Sequence, residues 1–175
     1  MSNSTTIPKA AGAAALVLVL ALAAPAGAEK RDILGSFTDW DAIVIVRDNG
    51  ERICYMISVP KAAAPEGANR GNIFATITHR PKRKVRDEVN IVVGYPFKAG
   101  SDASLAIGAS RFNLFTEGQG AWAYTPDDDS KMVAAMKSGG SMTVRGTSAR
   151  GTDTTDQYSL AGFTAAYNAI SQSCS

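Results

Sequence analysis

The fold is decided by the segment Asp41-Ala-Ile-Val-Ile-Val-Arg-Asp-Asn-Gly-Glu-Arg-Ile-Cys-Tyr-Met-Ile-Ser-Val59. It contains two runs of β-branched and apolar residues, 42–46 and 53–59, with Asn49-Gly50 between them. Asn and Gly both tolerate the positive φ angles of a type I′ turn. The segment therefore predicts a β-hairpin.

Short apolar runs of the same kind continue outward along the chain, each bounded by Gly, Pro or Asn. The further strands expected from them are 72–78, 88–93, 104–108, 111–115, 141–146 and 154–160. Short strands with turn residues in the gaps are typical of antiparallel sandwiches and barrels. We expect a mainly β fold, an antiparallel β-sandwich of the immunoglobulin-like type, with segment 61–70 as a loop.

Two short helices interrupt this β pattern. Thr125-Pro126 followed by Asp127-Asp128-Asp129 is a helix start, and Gly139-Gly140 is a helix stop. A calcium site is the alternative role for the three aspartates, but the alternating Asp-x-Asp-x-Asp-Gly spacing is absent, so capping is favoured. A second helix is expected over 163–171, just before Cys174.

The N-terminus has the order of an export signal. Lys9 is the only charge before Glu29, an apolar segment of 15 residues covers 10–24, and Ala26-Gly27-Ala28 is an Ala-x-Ala cleavage site. About 20 apolar residues are needed to cross a bilayer, so cleavage is favoured over an anchor. We predict a cleaved signal peptide at 1–28 and a single domain at 29–175, which would be almost neutral.

Export changes how the only two cysteines, Cys54 and Cys174, are interpreted. In an oxidising compartment an even pair is most simply a structural disulfide. The alternative, a redox-active pair, lacks C-x-x-C spacing. The bridge would connect the C-terminus to the first hairpin.

The sequence offers little for catalysis. His79 is the only histidine, and neither a Gly-x-Ser-x-Gly nucleophile motif nor a phosphate-binding loop is present. We predict no catalytic residues, no metal and no cofactor, with a small hydrolase centred on His79 as the less favoured alternative. For Trp40, Tyr55, Trp122 and Tyr158, core packing is the ordinary role.

The densest unusual feature is a basic segment with five cations in seven positions. These residues are Arg80, Lys82, Arg83, Lys84 and Arg86. In an exported protein they would meet anionic groups such as lipopolysaccharide phosphates or lipid headgroups rather than nucleic acid. The alternative is a solvated loop balanced by Asp87 and Glu88.

A set of short segments runs in order through nearly the whole mature chain. They are Asp39-Trp40, Cys54-Tyr55-Met56-x-Ser58-x-Pro60, Arg70-Gly71, Arg80-Pro81, Glu88-Val89, Gly94-Tyr95-Pro96-Phe97-Lys98, Ile107-Gly108 to Phe112, Ala121-Trp122, Met136-Lys137, Gly146-x-Ser148-x-Arg150-Gly151-Thr152, Tyr158-Ser159-Leu160-x-Gly162-Phe163-x-x-Ala166 and Cys174. This ordered set resembles the invasion-associated locus B family of exported alphaproteobacterial proteins.

The resemblance implies a β-sandwich in the periplasm or at the outer membrane, and a disulfide between the positions matching Cys54 and Cys174. For pathogenic members it implies a part in host-cell invasion or virulence. It implies no catalytic residues or cofactor. We therefore expect a non-enzymatic envelope protein, periplasmic, outer-membrane-associated or secreted, and at most peripheral to the membrane. It would bind an unknown envelope or host-surface partner, and an envelope housekeeping or assembly factor is the alternative.

Overall fold

A computed structural model describes residues 29–175, so the predicted signal peptide at 1–28 lies outside the described residues. The strands within this range are β1 (Lys30–Phe37), β2 (Trp40–Val46), β3 (Arg52–Ser58), β4 (Ala62–Ala64), β5 (Phe74–Arg80), β6 (Val85–Val92), β7 (Ala103–Ile107), β8 (Ser110–Glu117), β9 (Gly120–Trp122), β10 (Ser141–Thr147) and β11 (Asp153–Ser159). The two α-helices are α1 (Pro126–Ser138) and α2 (Phe163–Ser173).

The strands form one continuous antiparallel sheet in the order β1-β2-β3-β5-β6-β9-β8-β7-β10-β11-β4. The expectation of a mainly β, antiparallel, sandwich-like fold with two short helices is confirmed. All eight predicted strands are present, with boundaries shifted by at most three residues.

The sheet bends so that its two ends approach each other around one core. Trp40, at the start of β2, donates its indole N–H to the carbonyl oxygen of Ser159 at the end of β11, at 3.0 Å. Asp39 donates its backbone N–H to the carbonyl of Ala161 at 3.2 Å. Buried residues of both sheet halves and of both helices belong to a single hydrophobic cluster.

The predicted first hairpin is present, but its turn is not the type I′ turn that Asn49-Gly50 can form. Of the two central residues, only Gly50 has a positive φ, 73°. Gly50 donates its N–H to the carbonyl of Arg47 at 2.8 Å, and Arg47 donates its N–H to the carbonyl of Glu51 at 3.0 Å. This is the three-residue loop with a glycine bulge, in which one left-handed residue suffices.

Helix α1 begins as its sequence indicates. The Thr125 side chain accepts a hydrogen bond from the Asp128 backbone N–H at 3.2 Å, and Pro126 occupies the first turn. The expected buried residues Met132, Val133 and Met136 are buried. Capping uses Thr125 rather than all three aspartates, which leaves Asp129 free to point toward β6.

Three strands, β1, β4 and the three-residue β9, escape prediction because their sequences lack the β pattern. Strand β1 opens with Lys30-Arg31-Asp32 and forms a charged edge of the sheet. Strand β4 is three alanines inside the expected loop 61–70, and it forms only by pairing with β11. The interpretation of 62–64 as loop is therefore wrong.

Candidate functional site

The five predicted patch residues lie around the turn between β5 and β6, and two of them are held by glutamates of the same protein. Arg80 donates two hydrogen bonds of 2.8 Å to the Glu88 carboxylate. Arg83 lies 3.2 Å from the Glu51 carboxylate, which also pairs with Arg47 at 3.0 Å. Arg80 and Arg83 therefore neutralise glutamates of the same protein.

Of the remaining three cations, Arg86 contacts another part of the protein and the two lysines do not form ion pairs within the described part of the chain. Arg86 lies against α2, where its Nη2 donates to Tyr167 Oη at 3.4 Å and to Ser171 Oγ at 3.3 Å. Lys82 and Lys84 are exposed and form no ion pair with any residue of 29–175. The segment thus presents two lysines without an ion pair in this range, while Glu88 and Asp87, the acids of the alternative interpretation, lie 2.8 Å from Arg80 and 4.0 Å from Arg86.

The two cysteines form a disulfide that joins β3 to the end of α2. Cys54 is fully buried, Cys174 is 4% exposed, and their Cα atoms lie 6.0 Å apart. Beside the bridge, Arg52 donates from Nε to the carbonyl of Ser173 at 2.9 Å and from Nη2 to its hydroxyl at 2.8 Å. The C-terminal helix is therefore held covalently and by hydrogen bonds.

His79 is the strand neighbour of Cys54 and is 1% exposed. Its Nδ1 accepts a hydrogen bond from the backbone N–H of Asp87 at 3.1 Å. The neutral ring must then carry its proton on Nε2, which lies 3.1 Å from Ser171 Oγ and donates to it. Burial, with the nearby positive charge of Arg86, lowers the pKa of His79.

This arrangement does not make Ser171 a nucleophile. In a Ser-His-Asp triad Nε2 accepts the serine proton and Nδ1–H donates to the carboxylate. Here Nε2 donates to Ser171 and Nδ1 is occupied by the Asp87 amide, so the ring has no free lone pair for general-base catalysis. The geometry favours a tether for α2, which Tyr167 reinforces by donating to Asp87 Oδ1 at 2.7 Å.

A cleft of about 410 Å³ brings together three of the segments that carry the family resemblance, 70–71, 94–96 and 148–152. Its backbone walls are in close contact. The Gly71 N–H donates to the Gly94 carbonyl at 2.8 Å, and a Cβ on Gly94 would lie 2.6 Å from the Gly71 carbonyl oxygen. Gly94 also has a φ of 74°, so only glycine fits this position.

The polar groups buried at this cleft satisfy one another. The Arg70 guanidinium binds both carboxylate oxygens of Asp156, at 2.7 and 2.6 Å, and lies 5.1 Å from the centre of the Tyr95 ring. The Tyr95 hydroxyl is 2.5 Å from Thr154 Oγ1. These groups are already paired with one another. Their contacts therefore serve to hold the three loops around the cleft against the sheet.

The outer surface of β1, β2 and β3 carries large apolar side chains. We call this surface the apolar face and define it by Ile33, Ile43, Ile45, Ile53, Tyr55 and Ile57. Direct strand pairing aligns Ile33 with Ile43 and Ile43 with Tyr55, and it aligns Ile45 with Ile53. None of the six belongs to the hydrophobic core cluster.

Neither helix covers the apolar face, because the buried side chains of α1 and α2 lie in the core on the opposite side of the sheet. Ile33 is 73% exposed, whereas Ile43 and Ile45 are only 8% and 9% exposed. Along residues 29–175 neither helix is long and apolar enough to cross a membrane.

Together, these features define a disulfide-linked, mainly antiparallel β protein with internal polar networks and a partly exposed apolar face. The chain belongs to the invasion-associated locus B family, since the model of that family, described as "Invasion associated locus B (IalB) protein", matches residues 40–171. Proteins of this family are associated with the cell envelope. Neither a curated protein nor a solved structure matches the chain.

Sequence reasoning assigned Tyr55 and Trp122 to core packing alongside Trp40 and Tyr158. Trp40 and Tyr158 are in the core, but Tyr55 and Trp122 lie half-buried outside it. The sequence does contain a signal for the apolar face. The uninterrupted apolar run 42–46 is typical of a strand that is covered on both sides. One side of this strand packs in the core, and on the other side Ile43 and Ile45 are also largely buried, beside the exposed Ile33.

Proposed function

We propose that the protein is exported to the periplasm, has no catalytic activity, and acts by binding another protein at the cell envelope through the apolar face. The observation that carries this proposal is the alignment of five isoleucines and one tyrosine on the side of the sheet away from the core, with Ile33 73% exposed. Contiguous apolar surface of this kind marks protein interaction sites in soluble proteins.

The dimensions of the face fit the centre of an interface. Three strands about 4.8 Å apart and about seven residues long cover roughly 300 Å² of sheet surface. A stable complex buries about 800 Å² on each partner, so the partner must also contact the surrounding polar residues. Exposed Arg31 and Asp41 border the face and supply the polar rim that such interfaces have.

Export is supported by the signal-like N-terminus, by the disulfide and by membership of an envelope-associated family. The absence of catalysis is supported by the reversed hydrogen bonds of His79. The partner's identity decides between a role in host-cell invasion, which the family name suggests, and housekeeping or assembly work in the envelope.

The proposal is tested by site-specific photo-crosslinking in the native envelope. A photoreactive residue is placed at Ile33 on the apolar face, at Lys82 in the basic segment, and at exposed Ser110 on the β7–β8 turn as a matched control. We expect one adduct with an identifiable envelope protein from position 33 and none from 82 or 110.

A second variant distinguishes binding from chance proximity. Ile53→Glu adds a charge at the half-buried centre of the apolar face, and it should abolish the adduct at position 33 while the near-ultraviolet circular dichroism spectrum stays native. An adduct that survives Ile53→Glu, or one that forms from position 82 instead, contradicts the apolar-face proposal.

A further inference from the structure

Three aromatic rings form an exposed platform at the end of β8 and β9. Phe115 and Trp122 are direct strand neighbours whose rings stack at 5.7 Å, and the Tyr124 ring meets Phe115 at 5.6 Å. Phe115 is 36% and Tyr124 57% exposed. These rings contribute little to the core, although aromatic side chains of this size are ordinarily buried.

The platform is built rigidly. The Trp122 ring lies over the Cα of Gly120, where an added Cβ would come within 2.1 Å of the indole, so a side chain at 120 would displace the ring. The Tyr124 hydroxyl donates to the carboxylate of Asp102 at 2.7 Å. Two of the three rings are thus held in place independently of any ligand.

Carboxylates complete a cleft of about 270 Å³ over this platform. Glu88, Glu117 and Asp129 line the cleft, and no lysine, arginine or histidine does. Glu88 is neutralised by Arg80, but Glu117 and Asp129 form no ion pair within residues 29–175. Asp129 Oδ1 accepts one hydrogen bond, from the Val89 N–H at 2.9 Å.

Because no cationic side chain within residues 29–175 lines the cleft, nothing there offsets the negative charge around Asp129. Burial, followed by the carboxylates of Glu88 and Asp87 on β6 and Asp128 on α1, raises the pKa of Asp129 to about 6. The faces of the aromatic rings add further negative potential. A cation in the cleft would relieve both effects.

We propose that this aromatic cleft, formed by Phe115, Trp122 and Tyr124 with Glu117 and Asp129, binds a small organic cation of the quaternary ammonium type. Such cations are held over aromatic faces within about 6 Å of the ring centre. No group of three or more His, Cys, Asp or Glu within residues 29–175 is placed to hold a metal ion. The inference is independent of the apolar face, which lies on other strands.

Choline is the probe, and its uncharged carbon isostere, 3,3-dimethyl-1-butanol, is the matched ligand control. Binding is measured by calorimetry and by the fluorescence of Trp122, since the only other tryptophan, Trp40, is buried in the core. We expect choline to bind and the isostere to bind at least about fivefold more weakly, because cation–π attraction and carboxylate pairing require the charge.

Protein variants localise the site. Asp129→Asn and Phe115→Leu should each weaken choline binding by about fivefold or more, while Asp127→Asn, at an exposed aspartate paired with Lys131 on the same helix, should not. Choline binding to the unaltered protein should weaken as the pH falls below about 6, and this dependence should vanish in Asp129→Asn.

Three results would overturn the proposal. Equal affinity for choline and the isostere would reduce the cleft to an apolar pocket. Binding of a neutral methyl glycoside in the absence of choline binding would assign it to sugars. Unchanged choline affinity in both Asp129→Asn and Phe115→Leu, with native circular dichroism, would place any bound cation elsewhere.

Discussion

Arg70 and Asp156, 86 positions apart, form a buried bidentate ion pair between the loop before β5 and the centre of β11. The two side chains are 6% and 1% exposed. Nε of Arg70 donates to the carbonyl of Val93 at 2.9 Å as well. One guanidinium therefore joins the far end of the sheet to the segments around the 410 Å³ cleft.

Breaking this pair should be costly, because the partner that remains would be a buried and uncompensated charge. We expect Asp156→Ala to lower the free energy of unfolding by about 3–5 kcal/mol. The measurement is equilibrium unfolding in guanidinium chloride with the disulfide intact. The double variant Arg70→Met with Asp156→Leu should recover most of the loss, because it leaves no unpaired charge.

The exposed Asp127–Lys131 pair supplies the control. Lys131→Met removes an ion pair of similar type from the solvent-exposed side of α1 and should leave the unfolding midpoint unchanged. If Asp156→Ala proved as mild as Lys131→Met, the assignment of Arg70–Asp156 as the joint of these loops would be wrong.

Asp129 should make the protein less stable as the pH rises through the acidic range. Its pKa is about 6 in the folded protein and 3.8 in the unfolded chain, so the unfolded state ionises first. Stability contributed by the protonated carboxyl is therefore present below about pH 4 and lost as the pH rises to about 6. We expect Asp129→Asn to raise the free energy of unfolding at about pH 8 by about 1 kcal/mol, after allowance for solvent screening.

The same variant should give almost no gain at about pH 3, below both pKa values, where Asp129 is mostly protonated in the folded and in the unfolded state. The amide oxygen of the asparagine can still accept the hydrogen bond from the Val89 N–H. The check is a series of guanidinium unfolding curves across this range, and an equal gain at both pH values would contradict the assignment to ionisation.

His79 should have the opposite effect. Burial, and after it the positive charge of Arg86, holds the folded pKa of His79 below 6.5, so the unfolded chain binds a proton more readily. Stability should be full above about pH 6.5 and decline as the pH falls below it. Since His79 is the only histidine, its titration is followed directly by NMR.

His79→Gln tests this assignment, because a glutamine can accept from the Asp87 amide and donate to Ser171 without titrating. We expect the decline of stability between about pH 6.5 and 5 to be smaller in His79→Gln than in the unaltered protein. A His79 that titrates above 6.5 would show that α2 leaves the ring accessible to water.

The sequence was sufficient for the elements whose signals are local. The Asn49-Gly50 turn, the Thr125 cap with Pro126 and the glycines after α1 each depend on residues within a few positions of one another. Strands β1 and β4 depend on partners instead. The three alanines of β4 have no strand preference of their own and pair only because β11 presents an open edge.

The candidate sites also divide into features visible in the local sequence and features that depend on distant segments. The five basic residues are adjacent in sequence, so the sequence made them conspicuous, but the glutamates that neutralise Arg80 and Arg83 come from β6 and from the first hairpin. The aromatic cleft was not predicted, because Glu88, Phe115 and Asp129 come from three separate elements. Pairing across the sheet, rather than spacing along the chain, brings them together.

The basic segment should therefore contribute only weakly to binding anionic surfaces. We expect Lys82→Ala with Lys84→Ala to abolish whatever salt-dependent retention on anionic vesicles the protein has, and Arg80→Ala to leave that retention unchanged, because Arg80 is paired with Glu88. Cosedimentation across a range of salt concentrations measures this. Equal loss in both variants would restore the five-residue patch as one binding surface.

The Cys54–Cys174 disulfide closes a loop across a sequence separation of 120. In the chain-entropy model a loop of this length contributes up to about 4–5 kcal/mol, because the cross-link restricts the unfolded chain. Replacing both cysteines by alanine should lower the free energy of unfolding by an amount approaching this value.

Hydrogen bonds from Arg52, His79 and Arg86 should keep α2 docked in this double variant at low denaturant, so that α2 and the sheet still unfold in one transition. Thiol labelling of the mature protein unfolded without reductant should detect no free cysteine, and labelling after reduction should detect both. An early loss of α2 in the double variant, seen by hydrogen exchange before the sheet opens, would show that the covalent bond alone holds the helix.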